Sequence, residues 1–163
     1  MNFKRNFTVK KGEAERQDMG KRSLRRKLTS VAVLTALASP AVAYEVRLPS
    51  GPQPWEKTAA AELTSYLGRL AADNSVKVAG EEAVFHVGDT DFARARKLGA
   101  ADLQDEAWVV KSWGGDVVLV GGGMHGTLYA VSHFLEGVCG VRWWMDGEED
   151  VPASESLELP AVD

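Results

Sequence analysis

An α/β fold, a mixed sheet flanked by helices, is the class this sequence predicts. Three observations point to it. Short alternating or β-branched runs alternate with segments of helical periodicity. Two apolar runs, Glu106–Trp113 and Val117–Val120, are separated by the tight-turn residues Gly114-Gly115-Asp116, which reads as a hairpin inside that alternation. A glycine-rich turn then leads from the second run into an apolar-striped helix. The expected order is β-α-β-α-β-β-α-β, and a hairpin within such an order implies a mixed sheet.

The elements follow in chain order. Tyr44-Glu45-Val46-Arg47-Leu48 alternates and predicts a first strand, broken by Pro49-Ser50-Gly51-Pro52. Pro54 opens a helix at its first turn, where a missing N–H costs nothing. Ala59, Leu63, Tyr66, Leu67 and Leu70 form its inner stripe, and Asp73-Asn74 stops it. Ala83–Val87 predicts a short strand ending at Gly88. Thr90 or Asp91 caps a helix expected to run through Leu98, with Gly99 as its stop. After the hairpin and the loop Gly121–Gly126, a helix is expected over Thr127–Val138, with Leu128, Val131, Leu135 and Val138 inside. Gly140 ends it, and Val141-Arg142-Trp143-Trp144 predicts a strand. From Asp146 the chain reads as an acidic loop, with a last strand at Leu157-Glu158-Leu159.

Charge divides the chain. Residues 1–43 hold 10 Lys/Arg against 3 Asp/Glu, while residues 44–163 hold 9 against 20. The acidic main part lacks the basic face that nucleic-acid binding needs. The basic leader contains a signal-peptide pattern from Met19: a cationic stretch (Lys21, Arg22, Arg25, Arg26, Lys27), an apolar run Val31–Ala38, and Ala41-Val42-Ala43. Cleavage is expected after Ala43, giving a secreted or periplasmic domain over 44–163, with the working start at Met19. Arg25-Arg26 also fits a twin-arginine route. The alternative for this segment is an amphipathic surface helix. No apolar run reaches the roughly 18 residues of a membrane span. The single cysteine, Cys139, excludes an intrachain disulfide and a multi-cysteine zinc site, and is expected to be buried.

Gly121, Gly123 and Gly126 spell Gly-x-Gly-x-x-Gly between strand and helix, and Asp146 lies 20 residues beyond. This matches a dinucleotide fingerprint. Against it, the strand is the second arm of a hairpin, only 17 residues follow Asp146, and soluble nicotinamide cofactors are scarce outside the cell. The other reading is a structural turn whose glycines allow positive φ and close packing. No cofactor is expected. Asp146, Glu148, Glu149 and Asp150 form an acidic cluster beside Trp143 and Trp144, read either as a solvated loop or as sugar chemistry. His125, near a helix start, is a candidate ligand contact or an exposed turn residue. His133 is expected to be partly buried, and with Glu136 it is two ligands short of a zinc site. Cys139 has no evident base beside it. No catalytic residue and no metal site is expected.

The stretch VVLVGGGMHGTLYAVSHFLEGVCGVRWW, with the upstream KTAAAELTSYLGRL, resembles the N-terminal domain of certain large glycoside hydrolases. These are the alpha-glucuronidases, the beta-N-acetylhexosaminidases and related secreted proteins of the same domain order. The resemblance rests on Gly126, Leu128, Tyr129, Ala130, Val131, Phe134, Leu135 and Glu136, then Gly140, Val141, Arg142 and Trp143. It covers about residues 44–160. It implies a zincin-like α/β domain without the metal, packed on a following (β/α)₈ barrel that carries the catalytic carboxylates. Family members often have Arg before the glycine of the turn, where this chain has His125. The expected function is a non-catalytic accessory domain, its partner a catalytic barrel or a second copy met through an exposed apolar face. The alternatives are a carbohydrate-binding module using Trp113, Trp143 or Trp144, and a dinucleotide binder at Gly121–Gly126.

Overall fold

The computed structural model describes residues 43–163. The expected signal peptide, with Arg25-Arg26 and the expected start at Met19, lies outside the described residues. Among the described residues no helix is long and apolar enough to cross a membrane.

The mixed sheet is as expected. Strands β1 (Tyr44–Arg47), β3 (Glu81–Val87) and β5 (Asp116–Gly121) run parallel, with β3 in the middle. Strand β4 (Trp108–Trp113) pairs antiparallel with β5, the predicted hairpin, in the register Val110 opposite Leu119. Two strands were not foreseen as they stand. Val76–Val78 forms β2, a hairpin with the start of β3, and Glu148–Asp150 forms β7, paired with β6 (Arg142–Met145) as a separate two-stranded unit. The acidic segment after Asp146 is therefore a hairpin arm rather than a loop. Strand β8 (Leu157–Leu159) adds parallel to β2.

Helix α1 (Pro54–Leu70) buries the whole predicted stripe: Ala59, Leu63, Leu67 and Leu70 are fully enclosed and Tyr66 nearly so. Each such leucine contributes about 2 kcal/mol of burial. They meet Phe85 and Val87 of β3, and Val131, Phe134 and Leu135 that follow the glycine turn, to make the main core. Helix α3 (Gly126–His133) passes into a π turn over Phe134–Val138, where the Cys139 N–H reaches back to the Phe134 carbonyl at 3.1 Å. The extra residue in that turn shifts the face only beyond Phe134, so it bears on Val138 and not on Leu128, which precedes it. Ala130, Val131, Phe134 and Leu135 become the buried set, and Leu128 and Val138 are only half-buried.

The opposite sheet face has a thinner cover. Helix α2 (Asp91–Ala95) lays Phe92 and Ala93 over Val118, Val120 and Trp113. It ends sooner than expected because Lys97, at φ +57°, takes the left-handed position, with the Leu98 N–H on the Ala93 carbonyl and the Lys97 N–H on that of Arg94. Strand β4 starts two residues late for a similar reason: Glu106 sits at φ +64° and breaks the extended run.

Candidate functional site

The structure places the expected site residues in two separate regions. Trp143 and Trp144 stand on the β6–β7 hairpin against the C-terminal half of α1. His125 stands at the start of α3, beside the carboxyl ends of the parallel strands.

On the hairpin, Trp143 is a structural pin. Its ring meets Tyr66 edge-on at 5.6 Å, and its indole N–H donates to the Tyr66 hydroxyl at 2.7 Å. That hydroxyl donates in turn to Glu149 at 2.5 Å, and Arg69 closes the group with an ion pair to the same carboxylate. The Tyr66 hydrogen bond, then Arg69, hold the Glu149 carboxyl below its ordinary value. Burial and the facing carboxylate push the Tyr66 hydroxyl up. A glycosidic general acid needs the opposite, a carboxyl held protonated. Trp144 is different: it is 69 % exposed, and Met145 beside it is 65 % exposed. Trp113 does not offer an open ring. It is half-buried, with Phe92 packed edge-on and the Arg96 guanidinium over its face.

His125 is exposed, its Nδ1 3.6 Å from Glu106 Oε1 and its ring 6.1 Å from that of Tyr129. His133 is exposed as well, correcting the expectation of partial burial, and lies tilted against Trp108 at 4.2 Å. The glycine turn is explained by packing. A Cβ on Gly121 would overlap the Gly126 backbone, and one on Gly126 would press the Ala107 carbonyl. Gly123 alone of the three needs a positive φ, +62°. Cys139 is buried, and burial pushes its thiol up to about 12, which removes it as a nucleophile near neutral pH. Among the described residues no cluster of three or more potential ligands could hold a metal.

Sequence reasoning missed a cleft of about 610 Å³ at the carboxyl ends of β1, β3 and β5. Trp55, Gln53, Asp89, Arg94, Gly121 and Met124 are among its walls. Behind them Glu56, only 4 % exposed, ties the cleft together: its two oxygens accept from the backbone N–H groups of Gln53 and Asp89, both at 2.8 Å. Gly88 must be glycine beside it, since φ is +84° and a Cβ would overlap the Glu56 carboxylate. The available signal was topological, because open α/β sheets place ligand sites beyond their strand carboxyl ends. Only the strand directions reveal which loops share that end.

Comparison with family models, curated proteins and solved structures returns no match to this chain.

Proposed function

We propose that this chain is a non-catalytic accessory domain of a secreted carbohydrate-active enzyme, of the alpha-glucuronidase or hexosaminidase kind, supporting a (β/α)₈ catalytic barrel. The resemblance of Gly126–Trp143 supports the family. One observation carries the supporting role: Trp144 and Met145 project, 69 % and 65 % exposed, from a hairpin that Tyr66 and Arg69 clamp to α1. Exposed apolar side chains held on a rigid mount suit docking better than solvent. The acidic side chains beside them suit catalysis poorly, since Glu149 is ion-paired and held deprotonated.

The test is an assay of the chain on aryl glycosides and glucuronoxylo-oligosaccharides, with sedimentation of the same sample. The expected result is no turnover, and self-association that Trp144→Ala weakens. Turnover abolished by Glu148→Gln or Glu149→Gln would overturn the reading, as would a monomer indifferent to Trp144.

A further inference from the structure

We infer that the cleft at the carboxyl ends of β1, β3 and β5 is a binding site for a neutral mono- or disaccharide. The inference stands on the cleft itself, whether or not the domain braces a barrel. Its volume, about 610 Å³, suits a small ligand, for which sites of roughly 300–1,000 Å³ are usual. Its lining combines one half-buried indole, Trp55, and the exposed Met124 with the polar side chains of Gln53, Asp89 and Arg94.

That combination fits a pyranose. The C–H face of the sugar is apolar and packs on an indole, whose flat ring offers contact area with little entropy to lose. The hydroxyls need acceptors and donors held at fixed angles. Asp89 supplies carboxylate oxygens and Arg94 supplies N–H groups. Both are fixed before any ligand arrives: Asp89 accepts from the Ala100 N–H at 3.1 Å and from Arg94 at 2.9 Å, and Arg94 is held on its other side by Asp91. The Glu56 carboxylate anchors the Asp89 backbone from behind. Such preorganisation lowers the cost of binding.

Charge selects among ligands. Glu56 and Asp89 outnumber Arg94 in the cleft wall, and Arg94 is already paired with Asp89 and, outside the wall, with Asp91. A pyrophosphate or a uronate would meet net negative charge there, whereas a neutral sugar would not. The adjacent glycine turn does not reverse this, because Gly121 and Gly126 are packed against each other.

The experiment is a two-dimensional amide NMR titration of the full 163-residue chain with cellobiose, chitobiose and xylobiose, and with glucuronic acid as the anionic comparison. The expected result is a saturable shift, at a Kd of about 1 mM, confined to residues 49–56, 89–100 and 121–124 for at least one neutral sugar. Trp55→Ala should weaken it by about tenfold with the rest of the spectrum unchanged. Should that variant misfold, Met124→Ala, at an exposed position, should weaken binding while keeping the fold. No saturable change with any neutral disaccharide would overturn the proposal. So would shifts centred on Trp144 and its hairpin, or glucuronic acid binding as tightly as the neutral sugars. Absence of binding, or equal binding of glucuronic acid, leaves docking through Trp144 untouched and is read separately from sedimentation; shifts at the hairpin would instead favour a sugar platform at Trp144.

Discussion

The Tyr66 hydroxyl accepts the indole N–H of Trp143 at 2.7 Å and donates its own O–H to the Glu149 carboxylate. This relation joins α1 to a hairpin 77 residues later and clamps it, while the Trp143 side chain stays 40 % exposed. It also makes the clamp sensitive to acid. Glu149 is held below its ordinary value of 4.5, so the folded hairpin favours the ionised form. The stabilisation is complete above that value and disappears as pH falls toward the lowered one. Trp143 fluorescence in an acid titration should report release of the hairpin below about pH 4.5, and Glu149→Gln should abolish the transition. A pH-independent signal down to global unfolding would contradict this.

Glu56 holds two backbone donors while almost fully buried. Removing it leaves both N–H groups without their acceptor, at about 1–3 kcal/mol for each that stays unsatisfied. Glu56→Ala should therefore lower the urea midpoint by several tenths of a molar or more. Gly88→Ala should do comparable harm, because its Cβ needs the same space. A midpoint unchanged in both variants would show that this tie contributes nothing.

Ala79 and Gly80 form the two-residue turn between β2 and β3, with φ of +52° and +84°. That is the geometry in which Asn-Gly is favoured and Ala is strained. Ala79→Asn should stabilise the domain by up to ~1 kcal/mol, read as a higher melting temperature. A lower melting temperature would mean that the turn is not of this type.

Gly121 and Gly126 can be separated from the neighbouring open glycine by substitution. Gly121→Ala forces the strand away from the following helix and should cost about 1–3 kcal/mol, as overpacking does. Gly51→Ala meets nothing within 4 Å and should leave stability within about 0.5 kcal/mol. Chemical denaturation of the pair checks both.

The Cys139 thiol, raised by burial to about 12, should resist iodoacetamide at pH 8 in the folded chain and react once urea exposes it. Because an unfolded thiol ionises near 9.0 while the folded one keeps its proton, stability should also fall as pH rises from 9 toward 12. Rapid labelling of the native state would refute the burial.

Much of the architecture was legible from local pattern. The Ala59–Leu70 stripe, Pro54 at the first turn of its helix and the Gly114-Gly115 hairpin each express a rule acting over a few residues, and each recurs in the structure. What escaped was set by unfavourable local choices: Ala79 in a turn that prefers Asn, and Lys97 and Glu106 in the left-handed region. Propensity argues against all three; each is exposed, and what holds it is a backbone hydrogen bond, from the N–H of Ala79 to Leu159, of Lys97 to Arg94 and of Glu106 to Gly122. The same division holds for the candidate sites. The sequence by itself determined that Trp143, Trp144 and His125 are present, that the glycine turn joins a strand to a helix, and that the main part of the chain is acidic. The tertiary structure decided that Trp143 is bound to Tyr66 and Trp144 left outside, and that residues from 49–56, 89–100 and 121–124 share one cleft. Strand order and direction bring those segments together, and neither can be read from the spacing of residues along one chain.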